Sequence, residues 1–235
     1  KFDKIFIFNS SLRFNIIAKI ARIQNIYQYP LFKKKNQHII NAAKDFLKKE
    51  IGFDIKDSPE ISLDKNLINK TKLKYKIDEK QLNILLGIGG SGPTKRIPSK
   101  IFFNFMKLVS KNYDCKFFLA TGKNDEEQKI LNEILKSELK EKCIALDNFS
   151  LKEIMPIISN CNISVCNDSS FSHLSSALGI QTIVLMSDTP LLYGNYSTRM
   201  HPIIPDGENT VTHNTLGKNR INPNKIFEKL KNILN

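Results

Sequence analysis

From residue 82 onward, short apolar runs alternate with stretches of helical periodicity, and this alternation limits the chain to very few folds. Strand-like runs occupy 82–88, 116–120, 144–145, 163–166 and 182–186, the last reading as the final strand. Between and after them, residues 98–111, 126–139, 151–159, 169–178 and 221–234 carry helical spacing. Their ends carry helix punctuation. Pro98 and Pro223 stand near helix starts, Ser150 and Glu153 form a capping-box pair, and Gly179 follows a helix end. Strands separated by single helices at this spacing predict a doubly wound parallel sheet, an α/β fold. Such sheets bind ligands at the carboxyl ends of their strands. The loops at 89–97, 121–126, 147–150, 167–173 and 187–195 are therefore the places to look for chemistry.

Upstream, 2–8 reads as a strand, 12–21 as a helix and 26–32 as a second strand. A long helix over 37–50 places Ile39, Ile40, Ala43, Phe46 and Leu47 on one face, with Gly52 after it. This βαβα order suits part of another parallel sheet. Residues 59–81 have weak periodicity and many charges, and are expected to form an interdomain linker with at most one short strand. The expected organisation is thus 1–58 as part of a first Rossmann-like domain, 59–81 as linker, 82–205 as the ligand-binding domain, and 206–235 as a tail with a helix. Because strand-like residues appear almost at once, the first domain is expected to be incomplete in this chain.

Among 235 residues, 41% are hydrophobic and 25% charged, ordinary values for a globular chain. The formal net charge is +13, mostly from Lys spread over helix faces. Asn and Ile are also abundant, a composition that an AT-rich genome produces. A solvated basic surface accounts for the charge, and so does attraction to an anionic membrane surface or acidic glycolipid. No zinc spacing, aromatic nucleic-acid motif or Arg-rich stripe points to DNA or RNA. Apolar runs are too short to span a bilayer, and there is no signal-peptide pattern. Cys115, Cys143, Cys161 and Cys166 fit neither a metal site nor a CxxC motif, and read as reduced thiols, which suits the cytoplasm.

Three loops carry the chemistry. Gly89-Gly90-Ser91-Gly92-Pro93-Thr94-Lys95-Arg96 allows close backbone approach to a phosphate and adds hydroxyls and cations. It has neither Walker A nor GxGxxG spacing, and a plain strand–helix turn would use the same glycines. Asn167-Asp168-Ser169-Ser170-Phe171-Ser172-His173 ends a strand and opens a helix, whose first N–H groups and dipole favour an anion. Asp168 can act there or simply cap the helix. His173 lies one turn in, on the face of Ser169 and Ser170, where it can donate to a phosphate oxygen. In Thr121-Gly122-Lys123-Asn124-Asp125-Glu126, the acidic residues can bind ribose hydroxyls or complement the next helix dipole. No hydrolase elbow, HExxH or carboxylate–His metal cluster appears.

Taken in order, these loops resemble glycosyltransferase family 9, the ADP-heptose:lipopolysaccharide heptosyltransferases. The resemblance rests on Lys95-Arg96-Ile97-Pro98, Phe149-Ser150-Leu151-Lys152-Glu153-Ile154, the run from Asn167 through His173-Leu174-Ser175-Ser176-Ala177-Leu178-Gly179, and Ile183-Val184-Leu185-Met186-Ser187-Asp188-Thr189-Pro190. The family's Trp before Pro98 is Ile97 here, and its Thr-Gly after the Asp is Ser169-Ser170. The resemblance implies a GT-B fold of two Rossmann-like domains and inverting sugar transfer without a metal or other cofactor. It implies a nucleotide-sugar donor, ADP-heptose first, and a glycolipid acceptor such as the lipopolysaccharide core at the inner face of the inner membrane. By position, Gly90, Ser91 and Lys95 would meet the donor diphosphate and the sugar beside it. Lys123, Asp125 and Glu126 would face the nucleoside, and Phe149 the base. Asp168, Ser169 and Ser170 would hold the diphosphate and sugar, and His173 a phosphate oxygen. The catalytic base is expected upstream of Lys1, and the protein is expected to be a cytoplasmic monomer. An epimerase of the same fold and an inactive nucleotide-sugar binder are the alternatives.

Overall fold

The computed structural model describes residues 2–30, 39–55, 58–90 and 92–235. The chain divides into two compact units, Lys1–Ser58 and Pro59–Asn235. Among the described residues, no helix is long and apolar enough to cross a membrane.

In the first unit, β1 (Lys4–Ile7) and β2 (Asn25–Gln28) pair in parallel, with Ile5 opposite Ile26, and α1 (Leu12–Ile20) makes the crossover. This is the expected βαβα order, completed by α2 (Ile39–Ile51). The second strand stops at Gln28; residues 31 and 32 of the longer strand expected there, and 37 and 38 of the helix, lie outside the described residues. Phe46 of α2 is buried, with Phe8 and Tyr29 edge-on to it at ring separations of 5.3 and 5.1 Å. Gly52 takes φ +71°, the left-handed conformation that terminates a helix without a Cβ penalty.

In the second unit a helix lies within the stretch expected to be a linker with at most one short strand. Helix α3 (Lys65–Lys74) is capped by Asp64, which accepts the Asn66 N–H at 2.8 Å. Its buried strip is thin, since Thr71 is its one fully buried residue, and this is why apolar periodicity missed it. The remaining elements are β3 (Leu82–Gly87), α4 (Ser99–Asn112), β4 (Cys115–Ala120), α5 (Asp125–Leu135), β5 (Cys143–Ala145), α6 (Leu151–Ile158), β6 (Ile163–Asn167), α7 (Ser170–Ala177), β7 (Thr182–Leu185), β8 (Met200–Ile203) and α8 (Pro223–Leu234). Helix α3 packs on α6, and Asn160 just beyond α6 donates from Nδ2 to the Ile68 carbonyl at 3.1 Å.

The sheet runs β5-β4-β3-β6-β7-β8, and every pairing is parallel. Both faces are covered, so its inner strands β3, β4, β6 and β7 are mostly apolar. Successive residues of a strand point to opposite faces. Ile84 and Leu86 join Phe102, Phe105, Phe117 and Leu230 in one core, while Leu85 joins Phe118, Ile154, Ile157 and Phe171 in the other. The first core includes Ile226, Phe227 and Leu230 of α8, which packs on α4, so the terminal helix belongs to the body of this unit.

Strand β8 corrects the expectation that the sheet ends with residues 182–186. It pairs with β7, placing Met200 opposite Thr182. Its Met-His-Pro-Ile sequence carries a proline, which a sheet tolerates at an edge where the missing N–H faces no neighbouring strand. Proline and histidine in so short a run leave no strand signature.

Candidate functional site

After β3 the chain moves outward to β4 and β5, then returns to place β6 on the other side of β3. The loops following β3 and β6 therefore lie side by side at the carboxyl edge, at the point where the winding reverses. This is the crevice in which open α/β sheets bind ligands. The two strands approach closely there. A Cβ on Gly87 would stand 2.7 Å from Cys166 Sγ and 3.1 Å from the Phe171 Cβ, so only glycine fits.

The two loops are tied across this crevice. Lys95 Nζ lies 2.7 Å from Asp168 Oδ2, with the Asp168 side chain 5% exposed and that of Lys95 27%. Asp168 is thus the carboxylate of a cross-loop ion pair; Ser169, not Asp168, stands at the N-cap position of α7, and its side chain makes no capping hydrogen bond there. Asn167 Nδ2 donates to the Ile88 and Gly89 carbonyls at 2.8 and 3.1 Å. Arg96 folds back, its Nε donating to the Gly90 carbonyl at 2.9 Å. Ser187, after β7, donates to the Thr94 carbonyl at 2.8 Å.

Below the glycine loop sits Glu127, a residue the sequence did not single out. It is buried in the first turn of α5, and its Oε1 accepts the Gly90 N–H at 2.6 Å. Asn124 caps α5 by accepting the Glu127 N–H at 3.0 Å. A Cβ on Gly89 would press to 2.9 Å on the same carboxylate oxygen, and one on Gly122 would run into the other oxygen. The glycines at the ends of β3 and β4 thus make room for this brace. Its sequence signal was the Asn-x-x-Glu spacing, in which the third helical residue points back past the cap.

His173, in the second turn of α7, is part-buried. Its Nδ1 lies 2.7 Å from the Tyr196 hydroxyl, and the two rings stack 5.6 Å and 12° apart. Burial pushes the His173 pKa below its ordinary value and Lys95 adds to this, against the opposing pull of Asp168. Burial also raises Tyr196, and Asp168 adds to that rise.

The other expected contacts sit differently. Gly90 is buried within the loop, Ser169 is part-buried, and Ser170 is exposed at the first position of α7. Ser91 lies outside the described residues. Lys123, Asp125 and Glu126 are exposed on the rim after β4. Phe149 packs edge-on against Tyr75 at 5.4 Å, in the core between sheet, α3 and α6. Among the described residues, Thr121 Oγ1, Asn167 Oδ1, Ser169 Oγ and Thr189 Oγ1 are buried without a hydrogen-bond partner. All four follow or end strands at the carboxyl edge, where buried polar atoms are otherwise satisfied as a rule.

The doubly wound sheet thus brings a glycine loop and a helix N-terminus side by side at its reversal point. The profile of glycosyltransferase family 9 (heptosyltransferase) matches residues 21–214, and the chain belongs to that family. It is 27% identical over 177 residues to lipopolysaccharide heptosyltransferase 1 of Campylobacter coli, covering 71% of this chain and 50% of that protein. It is 24% identical over 248 residues to lipooligosaccharide heptosyltransferase 2 of Campylobacter jejuni, covering 100% and 76%. The chain thus spans half the length of the first relative and three quarters of the second. Among solved structures it resembles E. coli ADP-heptose lps heptosyltransferase II, with a TM-score of 0.74 at 19% identity over 99% of this chain and 76% of that one. It also resembles a family 9 glycosyl transferase from Veillonella parvula, with a TM-score of 0.76 at 15% identity over 99% and 73%. The two α/β units are of the GT-B class expected from the sequence.

Proposed function

We propose that the second unit binds the donor of a glycosyl transfer reaction, a sugar carried on a nucleoside diphosphate, and that ADP-heptose is that donor. The observation that carries this reading is the Lys95–Asp168 contact. It joins the glycine loop to the start of α7 at the sheet's reversal point, in a family of heptosyltransferases. When the sugar–phosphate bond breaks, negative charge grows on the departing diphosphate. Lys95, Arg96 and the amide groups opening α7 are the charges and dipoles available to stabilise it, in the place a metal ion takes in other transferases. Gly90 and Ser91 would line the diphosphate, His173 would donate to a phosphate oxygen, and Asp168, Ser169 and Ser170 would hold phosphate and sugar hydroxyls. Lys123, Asp125 and Glu126 on the rim would face the nucleoside, and Phe149 would border the base. Transfer with inversion to a lipopolysaccharide core or related glycan, on the cytoplasmic membrane surface, completes the reading. The relatives' names and the basic charge of +13 support it.

The test is thermal shift of this chain with ADP, UDP, GDP and their sugar conjugates, beside His173→Ala. The reading expects stabilisation by one nucleotide, adenine-based, that is reduced in the variant. A folded chain that none of these ligands stabilises would count against it.

A further inference from the structure

Nothing in the family resemblance assigns a role to Tyr196. It lies in the irregular stretch between β7 and β8, which no periodicity marks. Its ring packs against a small apolar cluster of its own, formed by Val184, Met186, Met200 and Val211 around the β7–β8 edge. From that anchor its hydroxyl reaches His173 Nδ1 at 2.7 Å, with the rings nearly parallel. An imidazole on a helix can turn about its side-chain bonds. Here one ring edge is tied, so the direction of Nε2 is set by Tyr196.

We infer that Tyr196 is the positioning residue of the donor site: its hydroxyl donates to Nδ1 of His173 and thereby holds the neutral imidazole as the Nε2–H tautomer. A neutral ring has one donor and one acceptor nitrogen, so the bond made by one nitrogen decides the role of the other. With Nδ1 accepting from tyrosine, Nε2 carries the proton and becomes the edge that offers a hydrogen bond to a phosphate oxygen. Asp168 and Lys95 both act electrostatically on the ring, Asp168 favouring its charged form and Lys95 opposing it. Without the hydroxyl, the ring is free to turn and to populate the other tautomer, whose Nε2 repels a phosphate oxygen. The inference rests on the donor-site reading for its ligand, though not for the state of the ring.

The experiment uses Tyr196→Phe, which keeps the ring and removes only the oxygen, with His173→Gln and the double variant alongside. Imidazole nitrogen-15 shifts of His173 report the tautomer directly, and titration with ADP reports the site. The expected result is protonated Nε2 in the wild type, a mixed tautomer population in Tyr196→Phe, and ADP binding weakened about tenfold. The double variant should bind no worse than His173→Gln alone, since both changes break one chain of contacts. An unchanged tautomer in Tyr196→Phe, or ADP binding equal to wild type, would overturn the assignment. A normal tautomer response in a wild type that binds no nucleoside diphosphate would instead remove the donor-site reading and, with it, the phosphate role given to Nε2.

Discussion

Replacing Lys95 with alanine should cost stability as well as ligand binding, and the size of that cost follows from the burial of its partner. The substitution leaves the Asp168 carboxylate, 5% exposed, without the ammonium that sits 2.7 Å away. Removing one member of a fully buried ion pair costs about 3–5 kcal/mol, because a charge is stranded away from water. The Lys95 side chain is 27% exposed, so water reaches the pair and screens part of that penalty. An expected loss of about 1–3 kcal/mol follows. For a unit of this size that corresponds to a fall of roughly 3–9 °C in melting temperature. Lys95→Ala combined with Asp168→Asn should recover most of it, because the stranded group is then neutral. Urea and thermal unfolding of wild type, single and double variants, followed by circular dichroism, make the comparison. A Lys95→Ala protein as stable as wild type, or a double variant no better than the single, would refute the claim that this pair locks the two loops together.

The buried Glu127 brace gives a parallel expectation: Glu127→Ala strands the Gly90 N–H and should destabilise by about 1–3 kcal/mol, whereas Glu127→Gln, with an oxygen still able to accept, should lose much less in the same unfolding assay. Burial depresses both His173 and His201 in the folded state, so as pH falls through about 6.5 the unfolded chain takes up protons first and stability declines. Melting temperatures measured on either side of that pH should fall on acidification, and should fall less in a His173→Gln, His201→Gln protein. Burial raises Cys143 to about 11 and Cys166 to about 12, and pushes Cys115 and Cys161 upward as well. All four thiols should therefore react slowly with a disulfide reagent at mildly alkaline pH until denaturant is added; rapid stoichiometric reaction of the native chain would contradict their burial.

Much of the second unit can be read from the sequence because its strands are buried on both faces and its helices carry their own punctuation. Residues such as Ile84, Leu85 and Leu86 leave no choice of environment, and Ser150 with Glu153, Gly179 and Pro223 mark helix ends by local chemistry. Elements held by tertiary contact are harder. Helix α3 buries too little apolar surface to show a period, and β8 is a strand only because β7 lies beside it. In the site, loop composition pointed to Lys95, Asp168 and His173. Composition does not give strand order, however, and it is the placement of β6 beside β3 that brings Lys95 to Asp168. Charge alone drew attention to the exposed Asp125 and Glu126, while the next residue, Glu127, turns inward to the glycine loop. Tyr196 reaches His173 across 23 positions of chain, a contact that only the fold supplies.

The central claim is that the crevice between the loops after β3 and β6 holds a nucleoside diphosphate. A crystal structure of this chain with ADP tests it most directly. The account predicts a diphosphate lodged between the glycine loop and the first turn of α7, within hydrogen-bonding distance of Lys95 Nζ and His173 Nε2. A diphosphate bound elsewhere on the chain, with Lys95 still closed on Asp168, would contradict it.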